Sequence, residues 1–266
     1  MTEKIIDSLN RLRENHPLVC CMTNSVVMEF NANSLLALGA LPVMTFEERE
    51  IEEMVFRSDA LYVNIGTLKD DEFVAIFSAC KTARDFGKPV ILDPVGAGAT
   101  SYRLEKSLEI MSMGVDIVKG NGGEIEALLG MSPKMRGVTS LGTESKKGEL
   151  CKKLGKEYNC VVCVTGSTDY ISDGGDVYEI HNGVPILDRV VGTGCTCGAL
   201  IGAFAPFGEN FTVSALGGLA IMSVAGELAF EKSGNRPGIF KTELIDAFYN
   251  MESNIIRDRL NITKEV

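Results

Sequence analysis

The stretch Pro89-Val90-Ile91-Leu92-Asp93-Pro94-Val95-Gly96-Ala97-Gly98 carries the pattern that decides the fold. A short apolar run ends on a carboxylate, and a turn of Pro and Gly follows at once. Runs of this length with such punctuation read as strands buried on both faces. Comparable runs recur at residues 18–23, 40–44, 60–64, 117–120 and 161–165. Longer segments with helical spacing lie between or beyond them, at 31–38, 47–57, 70–86, 124–129, 144–158, 195–204 and 212–233, and residues 1–14 read as a first helix. Strands alternating with crossover helices predict an α/β fold, a mostly parallel central sheet flanked by helices. A polar hairpin at 169–182, turning at Gly174-Gly175, predicts an antiparallel addition that edges the sheet. Residues 130–142 are the most loop-like stretch, and no linker or repeat divides residues 1–266 into more than one expected domain.

The chain has 266 residues, 45% of them hydrophobic and 23% charged, enough to bury one substantial core. Its formal charge of −10 opposes binding to nucleic-acid backbones and anionic membranes, which need clustered Lys and Arg. The N-terminus has neither the apolar centre of a signal peptide nor the Arg-rich bias of a transit peptide, and residues 213–229 are interrupted by Gly, Ser and Glu227. A cytoplasmic protein is expected. Eight scattered cysteines suit free thiols in a reducing compartment. Cys160 and Cys163 have C-x-x-C spacing but sit inside an apolar run, so they read as buried strand thiols rather than a redox or zinc pair.

In an open parallel sheet, ligands gather beyond the carboxyl ends of the strands. Three such places carry chemistry: Asp93 to Gly98, Lys119-Gly120-Asn121-Gly122-Gly123-Glu124, and Gly192-Thr193-Gly194-Cys195. In the last, two glycines permit close backbone approach and the helix that follows aims its free N–H groups at an anion. A flexible turn before a core helix would look the same. Cys195 stands where a helix N-terminus lowers a thiol's pKa. Asn121 and Glu124, three residues apart, read either as a capping box or as an acidic group facing the site. Asp93 reads either as a turn opener or as a metal ligand. Taken together, Asp93 and Glu124 offer hard oxygen ligands for Mg2+ beside an anion site, which points to phosphoryl transfer.

Asn121-Gly122-Gly123-Glu124 resembles the N-x-x-E motif of ribokinase-like kinases, and Gly192-Thr193-Gly194-Cys195 resembles their anion hole, with Cys in place of the usual Asp. Thr23-Asn24-Ser25-Val26-Val27, Asn31-Ala32-Asn33, Pro42-Val43-Met44, Asn64-Ile65-Gly66-Thr67-Leu68, Asp93 to Gly98 and Val164-Thr165-Gly166 narrow the resemblance to the hydroxyethylthiazole kinase family. The likeness covers residues 16–205. It implies the three-layer ribokinase-like fold, ATP as phosphate donor, and 4-methyl-5-(2-hydroxyethyl)thiazole as acceptor. It further implies Mg2+ at Asp93 and Glu124, ATP contacts from Lys119 and Thr165, and an anion hole formed by Gly192, Thr193, Gly194 and Cys195. Cys195 is implied as catalytic base. Met44, Gly192, Asn24 and Gly66 are implied as thiazole contacts, with Met44 also readable as a core filler. A homotrimer with pockets at subunit boundaries is implied as well. Lys119 replaces a usual Arg, which keeps the charge but loses the planar fork that grips two oxygens; Ser167 and Val191 also depart from the pattern, replacing a usual Glu and Thr. Two rival readings are a hydroxymethylpyrimidine or phosphomethylpyrimidine kinase, whose Gly-rich beginning is missing here, and a non-catalytic sensor of small molecules on the same fold.

Overall fold

A computed structural model of the chain describes residues 1–131 and 146–265, with only the backbone of 135–136 and 139–140 between them. The strands are β1 Leu18–Met22, β2 Leu41–Val43, β3 Ala60–Asn64, β4 Val90–Asp93, β5 Ile117–Asn121, β6 Met135–Arg136, β7 Thr139–Ser140, β8 Val161–Thr165, β9 Asp169–Ser172, β10 Val177–Ile180 and β11 Ile262–Lys264. The helices are α1 Thr2–Asn15, α2 Met28–Leu38, α3 Glu48–Arg57, α4 Asp70–Asp85, α5 Ser101–Ser112, α6 Gly122–Leu128, α7 Lys147–Tyr158, α8 Thr193–Phe204, α9 Phe211–Ser233, α10 Pro237–Tyr249 and α11 Ser253–Arg259.

The main sheet runs β11-β10-β9-β8-β5-β4-β3-β1-β2. Pairs from β2 to β8 are parallel, whereas β9, β10 and β11 add on antiparallel. Side chains alternate across this sheet, so each strand feeds two cores. Val19, Cys21, Tyr62, Ile91, Ile117 and Cys163 face the layer of α1, α2, α8, α9, α10 and α11. Cys20, Met22, Leu61, Val63, Leu92, Val118 and Val162 face the layer of α3, α4, α5, α6 and α7. The expected three layers follow from this alternation. Helix α1 shows the local logic: Ile5, Leu9 and Leu12 recur at helical spacing and are buried, and the chain leaves through His16 in the left-handed conformation.

Three expectations need correction. The 169–182 hairpin forms, but β11 pairs with β10, so the hairpin is not the edge of the sheet. Helices α5, α10 and α11 lie outside the predicted segments; Ile110 and Met111 bury α5 against one core, and Phe240, Leu244, Phe248 and Ile256 bury α10 and α11 against the other, larger one. The loop expected at 130–142 contains the two-stranded ribbon β6–β7, and the rest of it from residue 132 onward lies outside the described residues, as does the predicted start of the 144–158 helix. Helix α9 is long and apolar enough to cross a membrane by length and composition, but 83% of its apolar window is buried inside the fold. Its glycines explain that burial: a Cβ on Gly217 would meet the Phe204 ring and one on Gly218 the Ile201 backbone, so α9 packs directly on α8.

Candidate active site

The parallel strands deliver their polar residues to one edge. Asn24 follows β1, Met44 follows β2, Asn64 ends β3 with Gly66 two residues on, Asp93 ends β4, Lys119 lies near the end of β5, and Thr165 ends β8. Register holds Asn64 beside Asp93 and Asn121 beside Thr165. The N-terminus of α8 arrives above this edge.

Asp93 is the hub. Its Oδ2 accepts from Lys119 Nζ at 3.2 Å and Asn64 Nδ2 at 3.0 Å, while its Oδ1 is buried without a partner. A buried carboxylate oxygen with nothing to accept is costly, and a metal or ordered water is the usual resolution. Burial pushes the Asp93 carboxyl up, and the Lys119 charge opposes that. Burial is the largest single influence on Lys119 and would pull it down, but Asp93, Cys195 and Glu124 together hold the ammonium above its usual value, 3.2 Å from Asp93 Oδ2.

Glu124 serves both readings of its motif. Its N–H donates to Asn121 Oδ1 at 3.0 Å while its Oε2 accepts from Asn121 N at 2.8 Å, which is a capping box. Its Oε1 accepts from Gly96 N at 2.8 Å, across the turn after Asp93. Burial, then the Asp93 charge, pushes its pKa up to about 7. Each Glu124 oxygen retains a second lone pair, so the cap leaves acceptor capacity. Mg2+ usually keeps several waters and takes one or two carboxylates plus substrate phosphates. The unpartnered Asp93 Oδ1 and the nearby Glu124 carboxylate fit that requirement. Among the described residues no group of three or more His, Cys, Asp or Glu side chains assembles a complete cage.

Helix α8 opens the other half of the site. Gly192 has φ 102°, and a Cβ there would stand 2.9 Å from Val27 Cγ1, so both conformation and space demand glycine. The N–H groups of Thr193, Gly194 and Cys195 fall in the first turn, where no intrahelical carbonyl precedes them. The Thr193 hydroxyl secures the turn by donating toward the carbonyls of Leu187, at 2.9 Å, and Val190, at 3.2 Å. Lys119 Nζ would lie 3.7 Å from a Cβ on Gly194, so its charge stands at this helix terminus. Cys195 is the least buried of the eight thiols, and Asn24 Nδ2 donates to its Sγ at 3.5 Å. The lowering expected from the helix N-terminus is not the net result. Burial, then the Asp93 charge, pushes the Cys195 thiol up to about 11.

The structure brings Asn24, Gly66 and Cys195 together. Asn24 Nδ2 donates to Asn64 Oδ1 at 2.8 Å, Gly66 N donates to the same oxygen at 3.0 Å, and a Cβ on Gly66 would stand 2.8 Å from Asn24 Nδ2. Met44 is half-buried against the larger apolar core. Thr165 donates to the Gly120 carbonyl at 3.3 Å, which leaves its oxygen lone pairs for a ligand.

Sequence reasoning missed Tyr62, Asn64, Asn31 and Arg103. Tyr62 Oη lies 2.6 Å from the Cys195 carbonyl and accepts from Asn64 Nδ2 at 2.9 Å. Thr196 Oγ1 donates to Asn31 Oδ1 at 2.7 Å, locking α8 to α2. Arg103 donates to the carbonyls of Ile65, Val95 and Gly66 at 2.9, 2.7 and 2.6 Å, clamping two strand-end loops. A signal existed for Tyr62 and Asn64: two polar groups alternate on an otherwise apolar strand whose end carries the site.

The sequence pattern of the hydroxyethylthiazole kinase family matches residues 9–254. The chain is 48% identical over 257 residues to a hydroxyethylthiazole kinase of Pyrococcus horikoshii, covering 95% of each chain. It is 43% identical over 262 residues to one of Methanococcus maripaludis, covering 98% of each. A solved structure of the hydroxyethylthiazole kinase protein from Pyrococcus horikoshii superposes with TM-score 0.92 at 43% identity, over 99% of this chain and 100% of that one. The pyridoxal kinase of Staphylococcus aureus, solved with ADP, shares the fold with TM-score 0.67 at 13% identity, over 93% of this chain and 98% of the other.

Proposed function

The chain belongs to the hydroxyethylthiazole kinase family, and we propose that the edge defined by Asp93, Lys119 and the N-terminus of α8 is where it works. The protein is a phosphotransferase that moves a phosphoryl group from ATP to the primary hydroxyl of 4-methyl-5-(2-hydroxyethyl)thiazole, a step of thiamine metabolism. One observation carries the placement: an uncapped helix terminus and a buried ammonium converge beside a carboxylate oxygen that has no partner.

In the proposed arrangement, the N–H groups of Gly194 and Cys195 and the Lys119 ammonium receive the transferring phosphoryl, where charge develops. Thr165 receives another part of the nucleotide. Asp93 Oδ1 and, through water, Glu124 would hold Mg2+, which supplies charge neutralisation when bound. Asn24, Gly66 and Met44 line the acceptor side, and Asn24 keeps Cys195 Sγ turned toward the hydroxyl. As the hydroxyl oxygen bonds to phosphorus, the bond to the β-phosphate oxygen breaks and ADP leaves. The hydroxyl proton departs late, because the transition state is loose. A thiol at about 11 is not a base in advance. For Cys195 to take that proton it must first give up its own, which the Lys119 ammonium and the Asn24 contact favour and burial with the Asp93 charge opposes. Val26 and Val191, 65% and 72% exposed, rim Asn24 and Gly192, which supports the homotrimer reading in which a second subunit closes the pocket.

The test is incubation of purified protein with ATP, magnesium and a panel of alcohols: the hydroxyethylthiazole, hydroxymethylpyrimidine and pyridoxal. Mass spectrometry should find the thiazole phosphate as the dominant product. Preferential phosphorylation of the pyrimidine, or binding without ADP release, would overturn the assignment. Light scattering at working concentration should give three times the chain mass, and a monomer with full activity would sink the shared-pocket reading.

A further inference from the structure

Tyr62 is wholly buried in the middle of β3, yet its hydroxyl joins the two halves of the site. It has a single proton. The shorter of its two possible acceptors is the Cys195 carbonyl at 2.6 Å; Asp93 Oδ2 lies at 3.2 Å. The hydroxyl also accepts from Asn64 Nδ2, whose amide donates to Asp93 Oδ2 too. Burial first, and then the Asp93 charge, keeps the phenol protonated well above its usual range. The ring does a second job. A Cβ on Gly198 would collide with its Cε2, so α8 lies directly on the ring one turn beyond Cys195. Ring contact sets how closely α8 approaches the sheet, and the hydroxyl sets how its first turn is rotated.

We propose that Tyr62 is a positioning residue for phosphoryl transfer, fixing the Cys195 turn of the anion hole relative to the Asp93 carboxylate. This rests on the placement of the reaction at that edge. The carbonyl of Cys195 and its N–H and thiol belong to one residue, so a rotation of that turn moves the phosphoryl donors and the proton acceptor together. Small misplacements of this kind lower the rate of chemistry more than they weaken binding.

Tyr62→Phe tests it, since Phe keeps the ring against Gly198 and removes only the hydroxyl. Turnover should fall about tenfold, the equivalent of one well-placed hydrogen bond. KM for both substrates should stay within twofold. Amide hydrogen exchange, read without ATP or metal, should quicken severalfold in peptides spanning residues 190–200 and remain unchanged across β4, β5 and α9. Turnover within twofold of wild type overturns the proposal. So does a loss shared equally by turnover and KM with exchange quickened throughout, which would make Tyr62 a core residue only. If the wild type yields no thiazole phosphate, the functional placement falls with it; if wild type and Tyr62→Phe are equally active, only the positioning role falls.

Discussion

Helices α6 and α8 both begin on glycines at the carboxyl edge of the sheet, yet their N-termini are finished in opposite ways. Helix α6 is closed by its own sequence: Asn121 caps it and Glu124 reaches back to the Asn121 N–H. Helix α8 follows Gly192 with no side-chain cap, and the Lys119 ammonium stands at its first turn. One terminus ties two N–H groups into its own capping box and presents a carboxylate, whereas the other has no side-chain cap and stands beside a cation. The difference teaches that a Gly-rich helix start is an anion site only when nothing in its own first turn competes for the N–H groups.

The largest expected effect lies between the two termini. Asp93→Asn removes the charge that pairs with Lys119 and faces α6, and turnover should fall by at least about 10²-fold with the fold retained. Coupled detection of ADP at saturating substrates, alongside circular dichroism, measures both. Wild-type turnover would mean that the carboxylate only opens a turn.

On the α8 side, Cys195→Ser keeps a small polar group and should cost about tenfold in single-turnover rate. Equal rates at every pH would reduce Cys195 to a packing residue. Asp at this position should rescue better than Ser, since an ionised carboxylate accepts a proton near neutral pH.

On the α6 side the effect is one of pH. Glu124 is raised to about 7 from 4.5, so the folded chain binds more protons than the unfolded chain between those values, and its burial becomes destabilising as pH rises through that window. Glu124→Gln should therefore gain a few degrees in Tm relative to wild type on going from pH 5 to pH 8. Its turnover should fall as well. A Tm difference that is flat with pH would show that Glu124 is not held up by burial.

The smallest effect is that of the cap itself. Asn121→Ala should destabilise by about 1 kcal/mol, read as a downward shift of the thermal midpoint.

Much of this was legible in the chain because it depends on local spacing. The six parallel strands could be read from apolar runs ended by turn residues, and Asn121 with Glu124 shows as a cap by separation alone. In α10, Pro237–Tyr249, the apolar Ile239 and Tyr249 lie exposed outside the buried set Phe240, Leu244, Ala247 and Phe248 and blur its period, and packing against α9 defines the face. Strand β11 was invisible for another reason: three residues pair only because β10 offers an unpaired edge.

Sequence by itself determined which residues stand at strand ends, since a period of two and a turn fix where each strand stops and which side chains share a face. Hence Asp93, Lys119 and the Gly192 to Cys195 turn could be named from the chain, whereas Asn24 and Thr165 were singled out by the resemblance of their motifs. Tertiary structure alone decided how they act on one another. Tyr62 meets the Cys195 carbonyl across 133 positions of chain, and Asn24 meets the thiol across 171. The direction of the Cys195 shift was decided there too. A helix terminus lowers a thiol's pKa by a local field that can be read from sequence, but burial and the Asp93 charge raise it through neighbours that only folding brings within reach.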